Sequence, residues 1–208
     1  MFKAIVVDDH PFIRSSVKVL LQQEGFDVVG EADNGADALQ LVREHTPALV
    51  VLDITMPKLD GLEVISRIVN LGVPCKVLVL TSQSAQFYSM RCMKAGAAGF
   101  ISKTNGLEEL VKAIKAIMDG YTFFPNLATS SVRRSDVETT DLELIQTLSD
   151  RELTILQQLA MGLSNKEIGD SMLLSNKTIS THKARLMQKL NITSVVYLAD
   201  FAKRNNLI

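Results

Sequence analysis

Residues 49–57 read Leu-Val-Val-Leu-Asp-Ile-Thr-Met-Pro, and this stretch decides the fold. Four apolar residues run without a break, as in a strand buried on both faces of a parallel sheet, and Asp53 follows as the run ends. Ligands of open α/β sheets bind outside the carboxyl ends of the strands, so Asp53 lies at the position where such folds usually bind their ligands. An Asp here can equally begin a turn, and the rest of the chain decides between the two interpretations.

The first 120 residues alternate between strand and helix patterns. Strands are predicted at 3–7, 27–30, 48–52, 76–80 and 98–102. Helical spacing of apolar residues predicts helices from Pro11 to before Gly25 and at about 35–45, 61–71, 84–95 and 106–118. Five such alternations predict an α/β class fold, with a doubly wound five-stranded parallel sheet and helices on both faces.

Composition narrows the class of protein further. The chain is 47% hydrophobic and 22% charged, as is typical of soluble globular proteins. Its apolar runs are shorter than the roughly 18 to 20 residues of a membrane span, and the first apolar segment is too short for a signal peptide. Cys75 and Cys92 have no metal-ligand spacing. We expect a cytoplasmic protein with reduced thiols and no membrane partner.

The net charge of −1 hides an asymmetry between the two ends of the chain. Residues 1–145 contain 14 Lys and Arg against 18 Asp and Glu, whereas residues 146–208 contain 8 against 5. A mildly basic C-terminal unit joined to an acidic N-terminal part favours a role in nucleic-acid binding, although a net charge of +3 for residues 146–208 is by itself a weak signal.

Polar side chains follow four of the predicted strands. Asp8 and Asp9 follow the first, Asp53 the third, Thr81 the fourth and Lys103 the fifth, so all five meet at one edge of the sheet. At ~4 Å and an effective dielectric of ~20, each carboxylate pair costs about 4 kcal/mol. A divalent cation that prefers oxygen, Mg²⁺, relieves this repulsion, and a hydroxyl and an ammonium nearby can bind an oxyanion on Asp53. The pattern predicts a phosphoryl site, in preference to a helix cap made by Asp8 and Asp9 alone.

Residues 3–120 resemble the receiver domain of bacterial two-component response regulators, whose fold is CheY/flavodoxin-like. The matching motifs are Val-Val-Asp-Asp-His-Pro (6–11), Leu-Asp-Ile-Thr-Met-Pro (52–57), Asp-Gly (60–61), Leu-Thr-Ser (80–82) and Ala-Gly-Ala-Ala-Gly-Phe-Ile-Ser-Lys (95–103). The resemblance implies that Asp53 accepts a phosphoryl group from the phosphohistidine of a sensor histidine kinase. It also implies that Asp9 and Asp53 bind Mg²⁺ with the backbone carbonyl of Thr55, while Asp8 acts largely through water.

The same resemblance implies a switch. Lys103 would pair with the phosphoryl oxygens, and Thr81 would move to hydrogen-bond them. Phe100 occupies the family's aromatic switch position and would rotate inward as Thr81 moves. The alternative, that Phe100 is an ordinary core aromatic, stays open at this point.

Residues 121–145 are predicted to be a linker between a domain at 1–120 and a domain at 146–208. From Asn126 to about Asp141 the sequence is rich in Ser, Thr, Asp and Arg, which is typical of a solvated tether. Arg133 and Arg134 belong to this charged segment, and we interpret them as linker residues rather than as DNA contacts.

Residues 146–208 are predicted to form a small all-α domain of four helices with a helix-turn-helix. Ser149 and Glu152 have capping-box spacing, and Asn165 is interpreted as the cap of the second helix. The third helix, at about 176–190, has an apolar face that contains Ile179 and Leu186. Its opposite face and edges are suited to base contacts in a major groove, and nearby lysines are suited to phosphate contacts. The candidate DNA-binding residues are Lys166, Asn176, Lys177, Ser180, Thr181, Lys183, Ala184, Arg185 and Gln188, with Lys189 as a further phosphate contact.

This C-terminal segment resembles the four-helix DNA-binding domain of LuxR-type regulators. The matching motifs are Leu-Ser-Asp-Arg-Glu (148–152), Gly-Leu-Ser-Asn-Lys-Glu-Ile (162–168) and Leu-Ser-Asn-Lys-Thr-Ile-Ser-Thr-His-Lys (174–183). A receiver followed by such a domain is similar to the NarL/FixJ regulators, and the aromatic start of the linker resembles virulence regulators of the BvgA/EvgA kind. The resemblance implies a transcription regulator that binds double-stranded promoter DNA as a homodimer, with RNA polymerase as a candidate partner.

Two other classes of protein are compatible with parts of the sequence. A Mg²⁺-dependent phosphohydrolase would also place an Asp after a strand, but it would need a second acid at the position of Thr55 and a cap domain for its substrate. A DNA-binding protein whose receiver is only a dimerisation scaffold would not need Asp8, Asp9, Asp53, Thr81 and Lys103 together. We expect a regulator rather than an enzyme, apart from the catalysis of its own phosphoryl transfer and dephosphorylation.

Overall fold

The computed structural model describes residues 1–56, 61–125 and 141–208. It divides the chain into two compact units, Met1–Asn126 and Leu127–Ile208. Within the described ranges, each helix is too short or too polar to traverse a lipid bilayer.

A five-stranded parallel sheet forms the centre of the N-terminal unit. Its strands are β1 (Phe2–Val7), β2 (Phe26–Ala32), β3 (Leu49–Leu52), β4 (Lys76–Thr81) and β5 (Gly99–Ser102). They are arranged in the order β2-β1-β3-β4-β5, and every pairing is parallel. The predicted doubly wound sheet is therefore confirmed.

Five helices connect and cover these strands. They are α1 (Pro11–Gln23), α2 (Gly35–His45), α3 (Gly61–Asn70), α4 (Ala85–Ala95) and α5 (Leu107–Met118). One core cluster joins side chains of α1 and α5 to alternate residues of the strands, among them Val6 and Val51. The intervening residues, such as Ile5 and Val50, are buried as well. Burial on both faces explains why these strands have continuous apolar runs.

The chain after α5 returns to the edge of the sheet. The amide of Phe123 donates to the Ala98 carbonyl at 3.0 Å, and the amide of Phe100 donates to the Phe123 carbonyl at 2.8 Å. These two bonds form a parallel bridge between Gly99 and Phe123. The first residues of the predicted linker thus pair with β5 instead of leaving the domain directly.

The C-terminal unit is entirely helical where it is described. It contains α6 (Asp141–Gln146), α7 (Asp150–Ala160), α8 (Asn165–Met172), α9 (Asn176–Lys189) and α10 (Val195–Arg204). The last four are the predicted helices, whereas α6 lies almost entirely inside the range assigned to the linker. Its Ile145 is fully buried, and its Asp141 accepts hydrogen bonds from Arg204 and Asn205. Arg133 and Arg134 lie outside the described residues.

Serine side chains cap four of the described helices of this unit, α7 to α10. The predicted capping box of Ser149 and Glu152 is present. At α8 the prediction was wrong, because Ser164 and Glu167 form a second capping box and Asn165 is already helical. Ser and Glu three residues apart satisfy two backbone amides reciprocally, which an Asn one position later does not. Asn165 instead donates to Ser180 Oγ of α9 at 3.1 Å.

Candidate functional site

The register of the parallel strands gathers the five predicted polar residues at one edge. Val7 of β1 pairs with Leu52 of β3, so the residues that follow, Asp8 and Asp53, lie side by side. The Asp53 amide donates to the Val7 carbonyl at 2.8 Å, which continues this pairing beyond the strands. On the neighbouring strands, the Lys103 amide donates to the carbonyl of Thr81 at 2.8 Å.

Lys103 holds two buried carboxylates of different strands. Its Nζ lies 2.8 Å from Asp8 Oδ2 and 2.5 Å from Asp53 Oδ2, and both acids are about 2% exposed. Burial by itself would lower the pKa of Lys103, but hydrogen bonds and charge from Asp53 and Asp8 outweigh burial and raise it above 10.5. The ammonium is therefore charged at neutral pH and neutralises part of the acidic edge.

The remaining acidic groups suit a divalent cation. Asp8, Asp9, His10 and Asp53 each offer a ligand atom, and these atoms lie within 4.8 Å of one another. Asp9 Oδ1 is buried and lies 2.7 Å from His10 Nδ1, but it accepts no hydrogen bond of good geometry among the described residues. Formally, three carboxylates and one ammonium leave two negative charges, which one divalent ion neutralises. A carboxylate-rich set is the kind that Mg²⁺ prefers, so the residues fit the predicted metal.

Thr55 and Thr81 lie next to the carboxylate of Asp53. The Thr55 amide donates to Asp53 Oδ1 at 2.9 Å and so fixes the turn after β3. The Thr81 hydroxyl is fully buried, lies 3.1 Å from the Thr55 hydroxyl and accepts a hydrogen bond from the Gln83 amide at 3.3 Å. In this structure the contacts of the Thr81 hydroxyl are therefore with Thr55 and Gln83.

Phe100 lies on β5 and is 1% exposed. It pairs with Val79 of β4, two residues before Thr81, and its amide is the donor to Phe123 described above. The residue at the predicted switch position is thus joined to the start of the linker by one backbone hydrogen bond. The sequence offers no signal for this bridge, because a single pairing has no periodicity.

The predicted DNA-binding residues are exposed or partly exposed in the C-terminal unit. The residues that should point inward, Ile179, Leu186 and Leu190, are buried. Lys183 is partly exposed, and the other predicted contacts on α9 are exposed. Lys166 on α8 is also exposed. The exposed side chains are therefore accessible to a partner such as a groove of DNA. Those on α9 are Asn176, Lys177, Ser180, Thr181, Ala184, Arg185 and Gln188.

Lys189, which was predicted as a phosphate contact, forms an ion pair within the C-terminal unit. Its Nζ lies 2.6 Å from Glu152 Oε2 and donates to the Thr147 carbonyl at 3.1 Å. Burial raises the pKa of Glu152, but hydrogen bonds from Lys189 and Ser149 outweigh burial and lower it below 4.5. The pair joins α9 to α7 and so fixes the helix that carries most of the predicted DNA-binding residues.

An acid and lysine cluster at the edge of a receiver-like sheet, followed by a helix-turn-helix unit, defines a class of DNA-binding response regulators. The description "response regulator receiver domain" matches residues 4–115, and "bacterial regulatory proteins, luxR family" matches residues 146–202. The chain therefore belongs to the response regulators with a LuxR-type domain and is a transcription factor of a two-component system.

Individual relatives agree with this assignment over the whole chain. The virulence factors transcription regulator BvgA of Bordetella pertussis is 57% identical over 205 residues, which cover 99% of this chain and 98% of BvgA. The DNA-binding transcriptional activator EvgA of Escherichia coli K12 is 32% identical over 204 residues, 98% of each chain. A structure of RcsB from Salmonella enterica serovar Typhimurium, bound to promoter P1flhDC with the phosphomimetic BeF3⁻, has a TM-score of 0.69 and 25% identity. It covers 96% of this chain and 97% of RcsB. The predicted resemblance to BvgA and EvgA is confirmed.

Proposed function

We propose that Asp53 accepts a phosphoryl group from a sensor histidine kinase, and that this modification switches dimerisation and promoter binding. The observation that carries the proposal is the ammonium of Lys103 between the buried carboxylates of Asp53 and Asp8. One acid would be enough to pair with Lys103, whereas Asp8, Asp53 and the adjacent Asp9 together keep a net negative charge. Such a cluster is suited to a metal ion and a phosphoryl group.

The transfer forms one bond and breaks another. A carboxylate oxygen of Asp53 attacks phosphorus, the phosphorus–nitrogen bond to the kinase histidine breaks, and its electron pair stays on the imidazole. Lys103, already at Asp53 Oδ2, neutralises charge on the phosphoryl oxygens. Asp9, Asp53 and the Thr55 carbonyl would hold Mg²⁺, with Asp8 acting through water, and the ion would supply further charge neutralisation. The same residues would support hydrolysis of the acyl phosphate, which resets the site.

Thr81 and Phe100 form the proposed switch. The Thr81 hydroxyl leaves Thr55 and donates to a phosphoryl oxygen, which pulls the end of β4 toward Asp53. Phe100, on the neighbouring strand, would rotate inward as Thr81 moves, and it is already buried in this structure, in the inward position that the switch requires. The changed surface of the receiver then favours the paired form of the protein.

In the C-terminal domain, α9 would enter the major groove of promoter DNA. Thr181 and Ala184 are suited to the methyl group of thymine, and Arg185 and Gln188 to base edges. The remaining contacts would position the domain on the phosphate backbone. A homodimer would bind half-sites about 10 bp apart, with RNA polymerase as a further partner, in the bacterial cytoplasm. The residues proposed for backbone contacts are Lys166, Asn176, Lys177, Ser180 and Lys183.

We also propose functional boundaries at 1–120, 121–145 and 146–208 for receiver, linker and DNA-binding domain. Within the proposed linker, Phe123 pairs with β5 and Ile145 is buried in the C-terminal unit, so each end of the linker is anchored to the domain beside it.

The test compares the full-length protein with its Asp53→Asn variant. Acetyl phosphate and Mg²⁺ should slow the wild-type band on a phosphate-affinity gel and tighten its binding to promoter DNA, and Asp53→Asn should show neither effect. Asp27→Asn, which changes an exposed acid on β2, is the matched control and should behave as wild type. Equal DNA affinity of wild type and Asp53→Asn with the phosphodonor would refute the switch, and steady hydrolysis of p-nitrophenyl phosphate would favour the phosphohydrolase.

A further inference from the structure

The imidazole of His10 lies within the acidic edge. Its Nδ1 is 2.7 Å from Asp9 Oδ1 and 3.3 Å from Asp8 Oδ1. A neutral imidazole has one protonated nitrogen and one nitrogen with a lone pair. The contact with Asp9 lacks hydrogen-bond geometry, so Nδ1 is not held as a donor to Asp9 and can offer its lone pair to a cation. The Nδ1 atom of His10 therefore lies among the carboxylate oxygens that would bind a metal ion.

Local structure fixes His10 at this position. Its amide donates to Asp8 Oδ1 at 2.9 Å, and Pro11 begins α1 immediately after it. His10 occupies the N-cap position, yet its side chain makes no capping hydrogen bond. The imidazole is thus not used to satisfy the helix, and its contacts are with the two acids.

We propose that His10 Nδ1 is a ligand of the divalent cation, so that the site binds transition metals in preference to Mg²⁺. This inference rests on the metal site of the proposed function and adds a nitrogen ligand to its carboxylates. Imidazole strengthens binding in the order Mn²⁺, Co²⁺, Ni²⁺, whereas Mg²⁺ favours oxygen ligands and retains its waters.

The geometry allows this coordination with a small adjustment. Two ligands about 2.1 Å from one ion are at most about 4.2 Å apart, close to the 4.8 Å span of the four candidate atoms. The His10 side chain is 65% exposed, so its ring can turn toward an ion without disturbing the core. Asp9 Oδ1, which accepts no hydrogen bond, is available to the same ion.

The direct test is pulsed electron paramagnetic resonance of Mn²⁺ bound to the full-length protein labelled with ¹⁵N-histidine. We expect coupling between Mn²⁺ and an imidazole nitrogen in wild type and in His45→Ala, the matched control on α2. The coupling should be absent in His10→Ala and in His10→Asn, the second of which preserves a favourable N-cap residue. In calorimetric titrations, both His10 variants should lose Ni²⁺ affinity at least about tenfold relative to Mg²⁺ affinity.

Absence of nitrogen coupling in the wild-type protein would overturn the inference, whether or not the variants fold. An unchanged ratio of Ni²⁺ to Mg²⁺ affinity in folded His10→Asn would do the same. Labelling of the wild-type protein by acetyl phosphate with Mg²⁺ separates the two proposals. If labelling succeeds and coupling is absent, only the role of His10 fails, whereas absence of labelling counts against the proposed function itself.

Discussion

Glu152 connects two helices of the DNA-binding domain through one buried carboxylate. It accepts hydrogen bonds from the Ser149 amide at the start of its own helix and from Lys189 at the end of α9. One side chain thus caps α7 and holds the helix proposed to read DNA. Loss of its charge leaves the lysine and the amide with a weaker acceptor.

We predict that Glu152→Gln lowers the free energy of unfolding of the C-terminal domain by about 1–3 kcal/mol at pH 7. Because the folded pKa of Glu152 lies below its ordinary value, this contribution is complete above about 4.5 and is lost as the pH falls through the folded pKa. Urea unfolding followed by circular dichroism at pH 7 and pH 3.5 measures the difference.

Glu167→Gln is the matched control for this prediction. Glu167 closes the equivalent capping box of α8 but is exposed. Its replacement should therefore cost less than that of Glu152. Equal losses in the two variants would show that the Lys189 pair adds nothing beyond the cap.

At the scale of elements, Gly99 permits the pairing of Phe123 with β5. A Cβ at position 99 would lie 2.9 Å from the Phe123 carbonyl oxygen and 2.7 Å from Ile117 Cδ1. We predict that Gly99→Ala displaces residues 121–125 from β5 and destabilises the receiver by about 1–3 kcal/mol. Hydrogen exchange should show faster exchange of the Phe100 amide, which donates to Phe123.

Gly106→Ala serves as the control for this change. A Cβ at Gly106 meets nothing within 4 Å, so the variant should keep the protection of the Phe100 amide. Protection of that amide in Gly99→Ala equal to wild type would contradict the prediction.

Elements whose apolar residues recur at helix or strand spacing could be predicted from sequence, and elements without such a repeat could not. The five strand and helix pairs follow from continuous apolar runs and helical spacing, and the register then brings Asp53 and Lys103 together. Helix α6 has six residues, too few for a period, and depends on packing of Ile145. The cap of α8 was misassigned because Ser164 and Asn165 are both good caps, and only the position of Glu167 distinguishes them. The contact of His10 with the acids depends on ring orientation, which sequence does not specify.

At the scale of the whole molecule, the two compact units are expected to respond differently to metal. The acidic edge lies in the N-terminal unit. We therefore predict that Mg²⁺ raises the unfolding temperature of that unit and leaves the unfolding temperature of the C-terminal unit unchanged. At 100 times the dissociation constant, the stabilisation should be about 2.7 kcal/mol. Differential scanning calorimetry with and without MgCl₂ resolves the two transitions.

Asp9→Asn should remove most of this Mg²⁺ effect, because it replaces a proposed carboxylate ligand whose buried Oδ1 accepts no hydrogen bond among the described residues. A shift of both transitions by Mg²⁺, or an equal shift in Asp9→Asn, would place the ion elsewhere.

The return of Phe123 to β5 also bears on the solubility of the receiver. An outer strand with free amides and carbonyls is a template for strand addition by another chain, and proteins commonly cover such strands. Here the covering segment comes from residues after the last receiver helix, at Tyr121–Pro125. A protease cut after Pro125 would leave that cover attached to the receiver. A cut before Tyr121 would expose β5 and produce a fragment inclined to aggregate, although it retains every residue of the phosphoacceptor cluster.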